Sequence, residues 1–170
     1  MKTHQGYLDH PPPMTIDEAL AAEDPLGEIE SRICRARAED LSAAEELFDQ
    51  ALYFLGDTLN GGLVQTMCNS TGELTANVSS FVQQYCNQEL VQIFLELTAM
   101  FPDGVVPVDR VQRNSAVDRI SDHLAFDPFD SLTERFYALE EKYRQGVLKL
   151  VMERRAEFSN LASLRPKFGP

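Results

Sequence analysis

The sequence has no tryptophan, three cysteines and three histidines in 170 residues, and each scarcity removes a class of function. Cys34, Cys68 and Cys86 are odd in number and lie 34 and 18 residues apart, which fits neither a disulfide framework nor a zinc pattern. They are expected to be buried thiols, since an unpaired cysteine packs as a small hydrophobe. His4 and His10 fall near the N-terminal prolines, leaving His123 as the histidine of the folded part, so no metal site is expected. Neither G-x-G-x-x-G nor G-x-x-x-x-G-K-[ST] occurs, and no cofactor is expected. No run of 18 apolar residues suggests a membrane span and no apolar N-terminal run suggests a secretory signal. The expected location is the cytoplasm, with no membrane partner.

The most informative absence is of positive charge. Fifteen Lys and Arg stand against 27 Asp and Glu, for a net charge of −12. Between Arg37 and Arg110 there are 72 residues without a Lys or Arg, while Glu39, Asp40, Glu45, Glu46, Asp49, Asp57, Glu73, Glu89, Glu96, Asp103 and Asp109 fall there. These acids have few local partners for ion pairing. Such a surface repels polyanions, so direct binding to nucleic acid is not expected.

What is present reads as an all-α protein with one compact multi-helix domain. Apolar residues make up 44% of the chain, enough for one core at this length. Residues 1–14, with His10-Pro11-Pro12-Pro13, read as a flexible leader, 15–158 as the helical domain and 159–170 as a frayed tail. Thr15 with Glu18 matches a capping box at a helix start, and Pro25-Leu26-Gly27 reads as a break before a helix from Glu28 to about Leu41. Ser42 with Glu45 is a second box, opening a helix that Asn60-Gly61-Gly62 is expected to end, with Gly61 at positive φ. Residues 73–86 and 88–101 read as two core helices, Asp109 caps another, and Ser131 with Glu134 forms a third box before a long last helix.

On the helix from Ser42 to Leu59, Ala44, Leu47, Phe48, Ala51, Leu52, Phe54, Leu55 and Leu59 form one side. Glu45, Glu46, Asp49, Asp57 and, by extrapolation, Glu39 lie opposite. Carboxylates at i and i+4 are about 6 Å apart along the axis, comparable to successive phosphates of a nucleic-acid strand. Glu39, Asp40, Glu45, Glu46, Asp49 and Asp57 are therefore the candidate binding residues, set against the plain reading of a solvated face. Catalysis has thin material: a hydrolase centred on His123 with Asp118 or Asp122, or a pairing of His123 with a cysteine. No enzyme activity is expected.

A set of residues adds to this. Asn60-Gly61-Gly62, Gln65, Asn69 and Gly72, then Phe101-Pro102, then Leu132-Thr133-Glu134-Arg135-Phe136-Tyr137 resemble the pattern of a bacterial family of unknown-function domains whose best-described branch is a DNA mimic. The resemblance covers roughly residues 40–145. It departs from the family at Leu63 and Met67, where aromatics are usual, and at Thr133, where Asp is common. It implies an all-helical fold, no known enzymatic activity, homodimers, and, in that branch, binding to a DNA-binding transcription factor through an acidic surface. An immunity or antitoxin protein that neutralises a basic toxin is the alternative binding role.

Overall fold

A computed structural model describes residues 14–36, 38–122, 127–158 and 161. Among them are eight α-helices: α1 (Ile16–Leu20), α2 (Pro25–Ile33), α3 (Ala43–Cys68), α4 (Thr75–Tyr85), α5 (Gln88–Ala99), α6 (Arg110–Ser121), α7 (Pro128–Tyr137) and α8 (Glu140–Glu153). Four 3-10 turns, at Ala38–Asp40, Ser70–Leu74, Pro102–Gly104 and Arg155–Phe158, join or extend them. No strand forms among the described residues, and no helix there is long and apolar enough to cross a membrane. The proposed leader, except Met14, lies outside the described residues, as does the tail apart from Leu161, which is buried.

The starts of α1 and α3 follow from local chemistry. Thr15 and Ser42 each accept from the backbone N–H three residues on, while Glu18 and Glu45 reach back to the N-cap N–H, as read. Asn87 and Asp109 cap α5 and α6 through their side chains. Two starts differ from the expectation. Asp24 caps α2 with Pro25 in its first turn, and Asp127 caps α7 with Pro128 in its first turn. Proline here opens a helix, because its missing N–H would be unsatisfied anyway. Ser131 therefore lies inside α7 and caps nothing, and the long last helix divides at Ala138-Leu139 into α7 and α8.

The 26-residue α3 is the axis of the molecule, packing against α2, α4, α6, α7 and α8. Six rings run in sequence through the core, Phe54, Phe94, Phe136, Tyr143, Phe81 and Tyr85, with successive centroids 5.4, 6.5, 5.3, 5.4 and 5.8 Å apart. Each tilted or edge contact adds about 0.5–1.5 kcal/mol to the burial of the rings. The Tyr143 hydroxyl, fully buried, donates to Ala51 C=O at 3.0 Å, which tethers α8 to the middle of α3.

Asn60-Gly61-Gly62 does not end α3. The chain kinks there and resumes as a helix to Cys68, with Gly62 at φ 75° and Gly61 at φ −158°, so the positive φ falls one residue later than expected. Two side chains one turn apart on α7 serve the backbone beside the kink: Thr133 Oγ1 accepts from Leu63 N–H at 2.9 Å, and Tyr137 O–H donates to Thr58 C=O at 2.9 Å. Thr58 and Thr66 hydroxyls lie 3.0 Å apart across the bend. On its other side Asp57 accepts from Gln65 Nε2 and Asn69 Nδ2, at 3.2 and 2.9 Å.

The C-terminal end of α3 is closed by Arg113 of α6, whose fully buried guanidinium donates to the carbonyls of Met67, Asn69, Pro107 and Val108 at 2.6–2.8 Å. The negative end of the helix dipole favours a cation there. A Cβ at Gly72 would collide with the Arg113 side chain, so this glycine makes room for the plug. Asn60, Gly61, Gly62, Gln65, Asn69, Gly72, Thr133 and Tyr137 thus gather around the two ends of one short helical segment, while Phe136 belongs to the ring series.

Candidate functional site

The six carboxylates expected on one face do not stay together. Glu39 and Glu46 are exposed, and Asp40 and Asp49 are half-buried. Glu45 is 1% exposed and is a structural cap: one of its oxygens accepts from Ser42 N–H at 2.8 Å and the other has no hydrogen-bond partner. Burial pushes its carboxyl above the ordinary range, with the nearby Glu157 adding a smaller push the same way. The reason is tertiary. The turn Arg155–Phe158 packs on the start of α3, with Phe158 edge-on to Phe48 at 5.9 Å, and covers the edge of the face that Glu45 occupies. Asp57 is likewise withdrawn, engaged by Gln65 and Asn69 at the kink. Both leave the set of binding residues.

What remains on α3 is an outward ridge of Glu46, Asp49, Tyr53, Gly56 and Asn60, at alternating spacings of three and four, with Gln50 beside it. Tyr53 is 56% exposed. Gln50 donates to Glu46 at 3.1 Å and accepts from Asn77 of α4 at 3.0 Å, so polar groups continue from α3 onto α4. Glu39 and Asp40 extend the acidic part at the N-terminal side. Gly56 has open space on its side-chain face, with nothing within 4 Å of a Cβ built there. A glycine inside a helix costs about 1 kcal/mol relative to alanine, and no contact within the described molecule requires it. Tyr53, Gly56, Gln50 and Asn77 escaped the sequence reading because it followed charge alone.

Elsewhere the acids of the base-free stretch find bases from the C-terminal third. Glu96 pairs with Arg135 at 2.5 Å and Glu89 with Lys142 at 2.7 Å, and each partner's hydrogen bond lowers the carboxyl below its ordinary value. Glu140 with Arg144 and Glu153 with Lys149 add pairs along α8. The α5, α7 and α8 side is thereby charge-compensated, whereas among the described residues neither Glu39 nor Glu46 forms an ion pair. Local scarcity of bases in the sequence was thus a poor guide to pairing for Glu89 and Glu96.

The candidate nucleophiles fare as follows. Burial pushes the Cys86 thiol up to about 12, so it is protonated at neutral pH. Burial also raises Cys68. Cys34 is exposed, against expectation, because it falls at the C-terminal end of α2 past the last core residue, Ile33. His123 lies outside the described residues. Asp118 is exposed on α6, Asp122 is exposed at its C-cap, and Asp127 is occupied in capping α7. Among the described residues no group of three His, Cys, Asp or Glu side chains is placed to hold a metal.

A family model described as DMP19-like protein matches residues 39–155. The chain belongs to the DMP19-like protein family. No curated protein and no solved structure gives a significant match. The DMP19-like region begins at Glu39, runs through the acidic ridge, the kink and the Arg113 plug, and ends at Arg155. Helices α1 and α2 precede it, yet Ile16, Ala19, Leu26, Ile29 and Ile33 join the core, so this part of the chain is integral to the DMP19-like domain here.

Proposed function

We propose that the protein is a DNA mimic that binds a basic DNA-binding protein, such as a transcription factor, through the acidic ridge of α3 and the turn before it. Membership of the DMP19-like family supports a protein-binding role. The observation that carries the reading to particular residues is the ridge itself: Glu39 and Glu46 stand exposed, Asp40 and Asp49 flank them, and the bases of the chain lie mostly beyond residue 109. In this role the carboxylates occupy the partner's phosphate contacts. Their charge steers the encounter from a distance, because a net charge of −12 attracts a basic surface and repels nucleic acid. We place the protein in the cytoplasm, as a homodimer.

The test is a variant with Glu39→Gln, Glu46→Gln and Asp49→Asn, which removes three charges without touching the capping carboxylate of Glu45. A basic partner recovered from the native cell should associate with wild type at a rate that falls as salt shortens the Debye length from about 10 Å at 0.1 M to about 3 Å at 1 M. The variant should associate about tenfold more slowly at low salt, with a shallower salt dependence. Duplex DNA should displace the wild-type protein from its partner, and the protein alone should give no gel shift. Simultaneous occupancy of the partner by DNA and this protein would defeat the mimic reading.

A further inference from the structure

The acidic ridge contains two residues that charge does not explain. Tyr53 holds a large ring 56% exposed in the middle of it, and Gly56, one turn further, presents bare backbone where a side chain would meet nothing. Both lie on the line from Glu46 and Asp49 to Asn60. An exposed aromatic beside a side-chain gap, with carboxylates one to two turns away, matches one side-chain chemistry closely. An arginine has a planar cation that stacks on an aromatic face, a fork that engages carboxylates, and an aliphatic stem that needs room along the ring. A lysine ammonium offers neither the plane nor the fork.

We propose that Tyr53 and the gap at Gly56 form the anchor of the interface, receiving an arginine of the basic partner that stacks on the Tyr53 ring and turns its guanidinium toward Asp49 and Glu46. This rests on the acidic-ridge reading and adds to it a choice among cations: the partner's contact is arginine. Charge complementarity supplies the long-range attraction, and the ring supplies the discrimination. The absent side chain at residue 56 keeps the ring open from one side.

The experiment uses the full chain and two labelled probes, octa-arginine and octa-lysine, titrated at low salt by fluorescence anisotropy. Wild type should prefer the arginine peptide by about fivefold, the scale of one exposed cation–π contact. Tyr53→Leu should remove that preference, and Tyr53→Phe should keep it. Gly56→Leu should weaken arginine-peptide binding several-fold while its melting temperature stays at or above that of wild type, because glycine is the poorer helix former. A preference unchanged in Tyr53→Leu, or wild-type binding by Gly56→Leu, overturns the anchor. Glu46→Gln with Asp49→Asn separates this from the underlying reading. If that variant weakens both peptides while Tyr53→Leu changes nothing, the anchor falls and the acidic ridge stands. If both peptides bind it as they bind wild type, the ridge itself falls.

Discussion

Substituting the paired glycines one at a time tests the account of the α3 kink, because the two positions differ in backbone and in what a methyl group would meet. Gly62, at φ 75° and ψ 177°, occupies a region essentially restricted to glycine, and an alanine held there is strained by about 1–3 kcal/mol. Its Cβ would also lie 3.1 Å from Cγ2 and Oγ1 of Thr133, the side chain that accepts from Leu63 N–H. Displacing that hydroxyl forfeits a hydrogen bond contributing about 1 kcal/mol. Gly61→Ala meets a milder situation. Its φ of −158° is not in the left-handed region, and the atoms its Cβ would meet belong to the flexible end of Gln65. The loss there is the Gln65–Asp57 hydrogen bond, about 1 kcal/mol at most. Gly62→Ala should therefore be the more destabilising by about 2 kcal/mol, a melting temperature about 4–8 °C lower at this chain length. Urea titrations followed by far-ultraviolet circular dichroism, with equal slopes for the two variants, measure the difference. Equal losses, or a greater loss at Gly61, would refute the assignment of the strained position and of the Thr133 cap.

Two further outcomes concern buried charge. Glu45 has its carboxyl raised above the ordinary 4.5 by burial, so the stability it contributes is fully present below the unfolded-chain value and is lost as pH rises through the folded one. Wild type should accordingly gain on Glu45→Gln when the pH is lowered from 7 to 4 in paired urea titrations, and a flat or opposite difference would contradict the burial of this carboxylate. Arg113→Met should lower stability by about 3–5 kcal/mol, because it strips the donor from the buried carbonyls at the end of α3. Arg113→Lys should recover little, since one ammonium cannot fork to four carbonyls. Full recovery by lysine would show that only the charge matters there.

The parts of the fold legible in the sequence were those decided within one turn of chain. The boxes at Thr15 and Ser42 and the cap at Asp109 involve residues three apart, and they form as read. Asp24-Pro25 misleads because proline there reads as a breaker, whereas after an N-cap aspartate it opens a helix, and the start of α7 is missed because the Ser131–Glu134 box draws it three residues past Asp127-Pro128. The candidate site was half legible. Helical periodicity correctly turned Glu46 outward, but whether Glu45 stays at the surface is decided by Phe158, more than a hundred residues away. Asp57 was claimed by Asn69 for the same kind of reason, a partner that becomes a neighbour only once the kink has formed.

The kink also bears on the order in which the molecule assembles. The groups that satisfy Leu63 N–H and Thr58 C=O come from residues 70 and 79 positions later in the chain. Closing so large a loop is slow compared with extending a helix, and its entropy must be met before the contact gives anything back. The two halves of α3 thus belong to different stages. The first half can form early on its own Ser42–Glu45 cap and the core stripe of Phe48, Ala51, Phe54 and Leu55, whereas the bend is set only when α7 docks. The proposed acidic ridge lies on the half that can form first, and the docking of α7 that sets the bend leaves it in place.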